Sequence, residues 1–186
     1  MSNRLVLDAN VLYSARLRDL FLQLRQDNLA QVFWTNRIEA EWTAALVANR
    51  PTLQAVTGRT AHIIRAAFPS AYVDDDLIDT VAFGLPDPND EHVAQAALTM
   101  RATIVTWNLK DFPRKALSPH GLIAATPDEI LLDLAKKEPD RMLRSITSIR
   151  DRLRHPPISA EAYAAGILKS KCRKFGGWLQ ALAADV

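Results

Sequence analysis

The stretch RLVLDANVL, residues 4–12, sets an acid directly behind a short apolar run. Leu5–Leu7 is short and apolar with a β-branched centre, and it reads as a buried strand. Asp8 then falls at the carboxyl end of that strand, which is where open parallel sheets bind their ligands. A carboxylate beside a buried strand is costly unless it is paired or bound to a cation. Capping of the following turn is the plainer use for Asp8, so the rest of the chain has to decide.

Comparable runs recur at Val32–Trp34, Ala71–Val73 and Thr103–Thr106, with a further short strand at Gly121–Ala124. Helical patterns lie between them. From Ala15 to Leu29, Leu17, Leu20, Phe21 and Leu24 share one side. A helix opens at TNRIEAEW and runs toward Ala48, with Asn36 and Glu39 at capping-box spacing. Leu53–Ala67, Asp90–Met100 and Asp128–Lys137 are also helical in pattern. This alternation predicts a three-layer α/β/α fold around a central, mostly parallel sheet.

In ATPDEILLDLAKK, Thr126 is placed as N-cap, Pro127 as the first helical residue and Glu129 as its capping-box partner. Beyond this helix strand signals stop. Pro139 and Pro156–Pro157 divide the tail into helices near 140–153 and 159–169, and Gly176–Gly177 break the run before a short terminal helix. The expected organisation is an α/β body, 1–127, and a helical, basic extension, 128–186, that packs on the body or on a partner.

Composition narrows the class. At 186 residues, 48% hydrophobic, the chain can bury a sizeable core. Its single cysteine, Cys172, excludes an internal disulfide or a cysteine-based zinc cluster and suits a reducing compartment. Asp8 interrupts the N-terminal apolar run, which is no signal peptide, and no run approaches the ~20 apolar residues of a membrane span. The expected location is the cytoplasm. The net charge of +2 conceals a division: residues 1–135 carry 12 Lys/Arg against 16 Asp/Glu, whereas 136–186 carry 11 against 5. Such a tail suits a polyanion or an acidic protein, or simply solvates exposed helix faces.

The acids fall at particular places. Glu39 and Glu41 are two apart, so a helix cannot aim both at one spot. Glu39 serves the capping box, and Glu41, three after Ile38, turns toward the sheet. In DPNDEHVAQAAL, 87–98, Asp87 is a turn or cap residue, and Asp90 precedes the buried-looking Val93, Ala94 and Ala97. Glu91 is expected to point to solvent, and His92 to serve a structural role rather than approach phosphate or a partner. In TIVTWNLKDFP, 103–113, a loop bearing Asn108 and Asp111 follows the strand end at Thr106. The acidic VDDDLID, 73–79, reads as a solvated loop or helix start, and His62, His120 and His155 are isolated. Carboxylates gathered at one sheet edge raise each other's pKa unless cations are present. Oxygen-only ligands favour Mg²⁺ or Mn²⁺ over zinc, and the chemistry such a site serves best is metal-assisted phosphodiester hydrolysis.

Four segments in order, LVLDANVL, I-x-x-E at Ile38–Glu41, D-x-x-V-A-x-A-A at Asp90–Ala97 and IVTWNLKDFP at 104–113, resemble the motifs of PIN domains. These are the ribonuclease domains of VapC-type toxins in type II toxin–antitoxin systems. DPNDEHV followed by T-x-N-x-x-D-F is similar to a branch with a helical C-terminal extension. The resemblance implies a parallel sheet with the first strand central, and Asp8, Glu41, Asp90 and Asp111 as catalytic and metal-binding acids. Asp111 would hold a second ion or its waters, with Asn10, Thr106 and Asn108 in support. It further implies an RNA substrate, a cognate antitoxin, and hydrolysis leaving a 5′-phosphate and a 3′-hydroxyl. Trp107 departs from the pattern, where a smaller residue is expected; it either stacks on a base or walls the cleft.

Other acid-based enzymes fit less well. A dehalogenase-type phosphatase needs an acid at Asn10, a receiver domain needs an acidic pair at the first strand, and no phosphate-binding Gly-rich loop occurs. The remaining alternative is a non-catalytic PIN-fold regulator that binds RNA or protein. Arg150, Arg152 and Arg154 on one tail helix, shared with Arg141 and Arg144, and Lys169, Lys171, Arg173 and Lys174 beyond it would deliver RNA, receive an acidic antitoxin segment or support a homodimer.

Overall fold

The computed structural model describes residues 3–78, 80–153 and 156–184. Five strands form one sheet: β1 (Arg4–Leu7), β2 (Gln31–Thr35), β3 (Tyr72–Val73), β4 (Thr103–Val105) and β5 (Ala124–Ala125). Their order is β3-β2-β1-β4-β5, and every pair is parallel. Leu5, Val6 and Leu7 are fully buried at the centre, which is why this strand is apolar on both faces. Leu5 pairs with Val32 on one side and Thr103 on the other, so the chain ends of β1 and β4 emerge side by side.

The body's helices are α1 (Ala9–Leu12), α2 (Ala15–Gln26), α3 (Asn36–Asn49), α4 (Gln54–Ala67), α5 (Glu91–Met100) and α6 (Arg114–Leu117). Val93, Ala94, Ala96 and Ala97 of α5 and Leu17, Leu20, Phe21 and Leu24 of α2 are buried in the core. Helices α7 (Pro127–Lys137), α8 (Pro139–Arg152), α9 (Ala160–Lys169) and α10 (Arg173–Ala184) follow β5. The expected capping box at the start of α7 forms: Thr126 Oγ1 accepts from the Glu129 N–H, and Glu129 accepts from the Thr126 N–H. The tail packs on its own body through α8 and α9 against α2, while α10 packs within the tail on α7 and α9. Ser145 donates to Asp27 at 2.5 Å, and Arg141 to the carbonyls of Asp27 and Asn28.

Three local expectations change. The last strand begins at Ala124 because Gly121, at φ 70°, closes a turn first. The N-cap of α3 is Thr35, whose hydroxyl accepts from the Ile38 N–H, rather than Asn36. Gly176–Gly177 do not break the terminal helix, since α10 runs through both. Its start is held from outside: Asp128 of α7 accepts from the backbone N–H groups of Lys174 (3.0 Å) and Phe175 (2.8 Å). A cap supplied by a distant carboxylate compensates for two poor helix formers. Cys172, just before α10, is fully buried, and burial pushes its thiol up to about 12. Among the described residues no helix is long and apolar enough to cross a membrane. Asp79, Arg154 and His155 lie outside the described residues.

Candidate active site

Asp8 leaves β1 with its N–H on the Val105 carbonyl at 3.0 Å and starts α1 without using its side chain as a cap. The carboxylate instead faces the end of β4. Its Oδ2 accepts from Thr106 Oγ1 at 2.6 Å and Asn10 Nδ2 at 2.5 Å. Thr106 Oγ1 in turn accepts from the Asn108 N–H at 3.0 Å, and Asn10 Oδ1 accepts from the Trp107 N–H at 3.1 Å. Parallel pairing brings the two strand ends together, and these bonds lock them. Asp8 is only 7% exposed. Burial raises its carboxyl above the usual aspartate range, hydrogen bonds from Thr106 and the Ala9 and Asn10 backbone oppose this, and Glu41 adds a further upward push.

Asp90 closes the single turn Pro88–Asp90 and precedes α5, and its side chain makes no cap bond. Burial, then the charges of Asp8, Asp87 and Asp111, push its carboxyl up to about 6. Asp87 is the turn cap its position suggested, accepting from the Asn89 N–H at 2.9 Å. Asp111 bonds the Asn108 side-chain amide, and its own N–H donates to the Asn108 carbonyl.

Glu41 is partly exposed on α3 and receives Arg37 Nε at 3.2 Å and His92 Nε2 at 3.0 Å. Burial pushes its carboxyl up, but the contacts from His92 and Arg37 outweigh this and hold it below the usual range. Arg37 also donates to the Asn89 carbonyl at 3.1 Å, tying α3 to the turn that carries Asp90. Sequence reasoning overlooked both partners of Glu41. The Arg37–Glu41 spacing of four was a readable signal, whereas the His92 contact spans about half a hundred positions and had none.

Two acids differ from expectation. Glu91 does not point to solvent: its carboxylate accepts from the N–H groups of Phe83 (2.8 Å) and Leu85 (3.0 Å), fastening the loop before the site. Glu39 is no capping residue of α3; it pairs with Arg65 at 2.5 Å and with the Tyr72 hydroxyl. Within the run that starts at Val73, the last residue of β3, Asp75–Leu77 form a short exposed turn. Of the basic residues, Lys169 and Lys171 line a cavity that Asn10 and Trp107 also line. Arg173 and Lys174 are exposed at the start of α10, Arg152 lies near enough to Asp19 to stabilise its charge, and Arg150 Nε donates to the Ile158 carbonyl within the tail.

Whether this set suits a cation can be judged from its chemistry. All donors are oxygens, and Asp8 and Asp90 are raised by burial and by neighbouring acids, a penalty that a hard divalent ion relieves. Among the described residues no three His, Cys, Asp or Glu side chains close on a single point. An ion held here would therefore rest on one or two carboxylates and several waters, as Mg²⁺ can.

The description of the PIN domain family matches residues 4–110. The chain belongs to the PIN-domain family. A second family description, the VapC50 C-terminal domain, matches residues 127–181, the four helices after the PIN sheet. A curated relative, "Putative ribonuclease VapC50" of Mycobacterium tuberculosis (strain ATCC 25618 / H37Rv), is 39% identical over 71 residues. That match covers 38% of this PIN chain and 42% of the relative. No solved structure matches.

Proposed function

We propose that this PIN chain is a Mg²⁺- or Mn²⁺-dependent endoribonuclease, the toxin of a toxin–antitoxin pair, with the body at 1–127 and a supporting tail at 128–186. The observation that carries this reading is the Asp8 carboxylate, buried where β1 and β4 end side by side and close enough to Asp90 at the start of α5 for its charge to raise that second acid. Asp90 makes no cap bond and is raised by burial and by the charges of Asp8, Asp87 and Asp111, so a polyanion approaching this acid cluster would need cations.

In the proposed hydrolysis, water attacks phosphorus in line, the 3′-oxygen leaves with a proton, and a 5′-phosphate remains. Asp8, Glu41, Asp90 and Asp111 would hold a divalent ion through one or two of their carboxylates and intervening waters, and that ion would supply Lewis acidity toward the phosphate and lower the pKa of water. Thr106 and Asn10 fix the Asp8 carboxylate, and the Trp107 N–H fixes the Asn10 amide in the orientation that donates. Asp90, ionised only above about 6, becomes a full acceptor near neutral pH. His92 and Arg37 keep Glu41 ionised throughout that range. The tail supplies exposed cations toward an acid-rich cleft, where they would neutralise phosphates of the same RNA or carboxylates of a cognate antitoxin.

The test is cleavage of a panel of RNAs by the full chain with Mn²⁺ or Mg²⁺, against the same chain in EDTA and an Asp8→Asn variant. Metal-dependent internal cuts lost in both controls are expected. Cutting that persists in either control, or RNA binding with no cutting under any condition, overturns the enzyme reading; the latter outcome leaves a binding regulator.

A further inference from the structure

Beside the acid cluster lies a cavity of about 660 Å³ whose lining, among the described residues, contains no carboxylate. Among the described residues five cations line it: Arg16, Arg18 and Arg50 from the body, and Lys169 and Lys171 from the tail. Asn10 and Trp107 belong to the same lining, and Asn10 is bonded to Asp8, so the cavity and the acids share a wall. Packing of α9 against α2 completes it, partly through Arg16, which donates to the Gly166 carbonyl at 2.9 Å.

Two residues of this lining each carry a buried polar atom without a partner. Arg18 is 7% exposed, lies 4.7 Å over the Trp42 ring and gives one N–H to the Leu12 carbonyl, but its Nε bonds nothing. Thr57 is 3% exposed, and its hydroxyl is likewise unpartnered. Buried polar atoms are nearly always satisfied, and two exceptions lining one cavity point to a ligand with a polar edge. The rim carries a third anomaly. Lys171 sits at φ 67°, just past the end of α9, where glycine is the favoured residue. A lysine in that backbone state is disfavoured for folding, and its side chain is the feature glycine lacks.

We propose that this cavity receives one nucleotide of single-stranded RNA, adjacent to the phosphodiester presented to the acid cluster. The exposed lysines Lys169 and Lys171 meet its phosphates, Trp107 offers a stacking face, and Arg18 Nε and Thr57 Oγ1 read the edge of its base. Cations at the rim with an aromatic and edge-reading interior suit a nucleotide better than an acidic peptide, whose charges would leave the interior donors unmet. The inference rests on the ribonuclease reading and adds which residues select the substrate.

The test measures binding in EDTA, where no cleavage is needed. Short labelled oligoribonucleotides of each single base are titrated by fluorescence anisotropy into the full chain, Lys171→Gly and Thr57→Val. Lys171→Gly should weaken binding about tenfold while leaving Tm equal or higher, since glycine relieves the backbone. Thr57→Val should change the order of preference among bases with little change in salt dependence. Absence of binding by the parent chain, or affinity and base order unchanged in both variants, overturns the proposal. So does tighter binding of an oligoglutamate of equal charge that both variants weaken, which would assign the cavity to an acidic protein. If the parent chain cuts RNA yet the variants bind as it does, only the nucleotide pocket fails. If the variants lose binding but no condition yields cutting, only the enzyme reading fails.

Discussion

Asp8 and Asp128 are buried to nearly the same degree, 7% and 8% exposed, yet they serve opposite ends. Asp128 spends both oxygens on the first turn of α10, one on the Lys174 N–H and one on the Phe175 N–H. Its partners are donors that a helix start leaves over, so the carboxylate is satisfied by the fold itself. Asp8 also has donors, but it is coupled to other acids, for Glu41 pushes its carboxyl up and its own charge pushes up Asp90. A carboxylate matched to donors holds a structure together, and one set among carboxylates stores a demand for positive charge.

The largest effect should come from removing that demand. Asp8→Asn keeps the shape and the Thr106 contact, and it is expected to reduce RNA cleavage by about 10²–10³-fold or more with Tm unchanged or raised. A Tm loss equal to that of an Asp128 variant would erase the distinction. Asp128→Ala should do the reverse. It orphans the N–H groups of Lys174 and Phe175, the second of them buried, and is expected to cost about 1–3 kcal/mol, lowering Tm by several degrees while the cleavage rate constant of the folded fraction holds.

Smaller effects sharpen the same contrast. In EDTA, the folded chain keeps a proton on Asp90 up to about pH 6, whereas an unfolded aspartate releases it near 3.8. Over that window the native state binds more protons, so stability should fall as pH rises from about 4 to about 6. With discounting for partial exposure the change is on the order of 1 kcal/mol, or roughly 2–4 °C. Thermal melts should show the slope flattened in Asp90→Asn, and Mg²⁺ or Mn²⁺ should raise Tm more at pH 7 than at pH 5. An unchanged slope in Asp90→Asn would show that its carboxyl is not held high. Smallest of all, Gly177 lies within α10 with open space where a Cβ would go. Gly177→Ala should add about 0.5–1 kcal/mol, measured by denaturant unfolding, without altering cleavage.

Much of the fold was legible because its signals are local. The apolar runs of β1 and β4, the one-sided pattern of α2 and the Thr126–Glu129 box each lie within a few residues of their cause. The wholly parallel sheet follows from the strand–helix alternation. Proximity of Asp8 to Thr106 could be inferred only through that topology, since 98 positions separate them. What escaped notice is long-range: Glu39 finds Arg65 and Tyr72, Glu91 finds the backbone of Phe83 and Leu85, and Asp128 finds α10. In each case a local rule, a cap or a solvated face, was outbid by a donor that exists only after folding. The two glycines of α10 were misread for the same reason, because the cap that sustains the helix comes from 46 positions away.

Gly166 has a consequence for how this tail could be exchanged among relatives. Its carbonyl takes the Arg16 side chain, and a Cβ at that point would occupy the space of the guanidinium. Any larger residue would leave the helices intact but turn Arg16 outward, changing the neighbouring recess rather than the scaffold. The joint between tail and body thus acts as a dial: a single methyl group on one helix would retune what the other half of the molecule can hold.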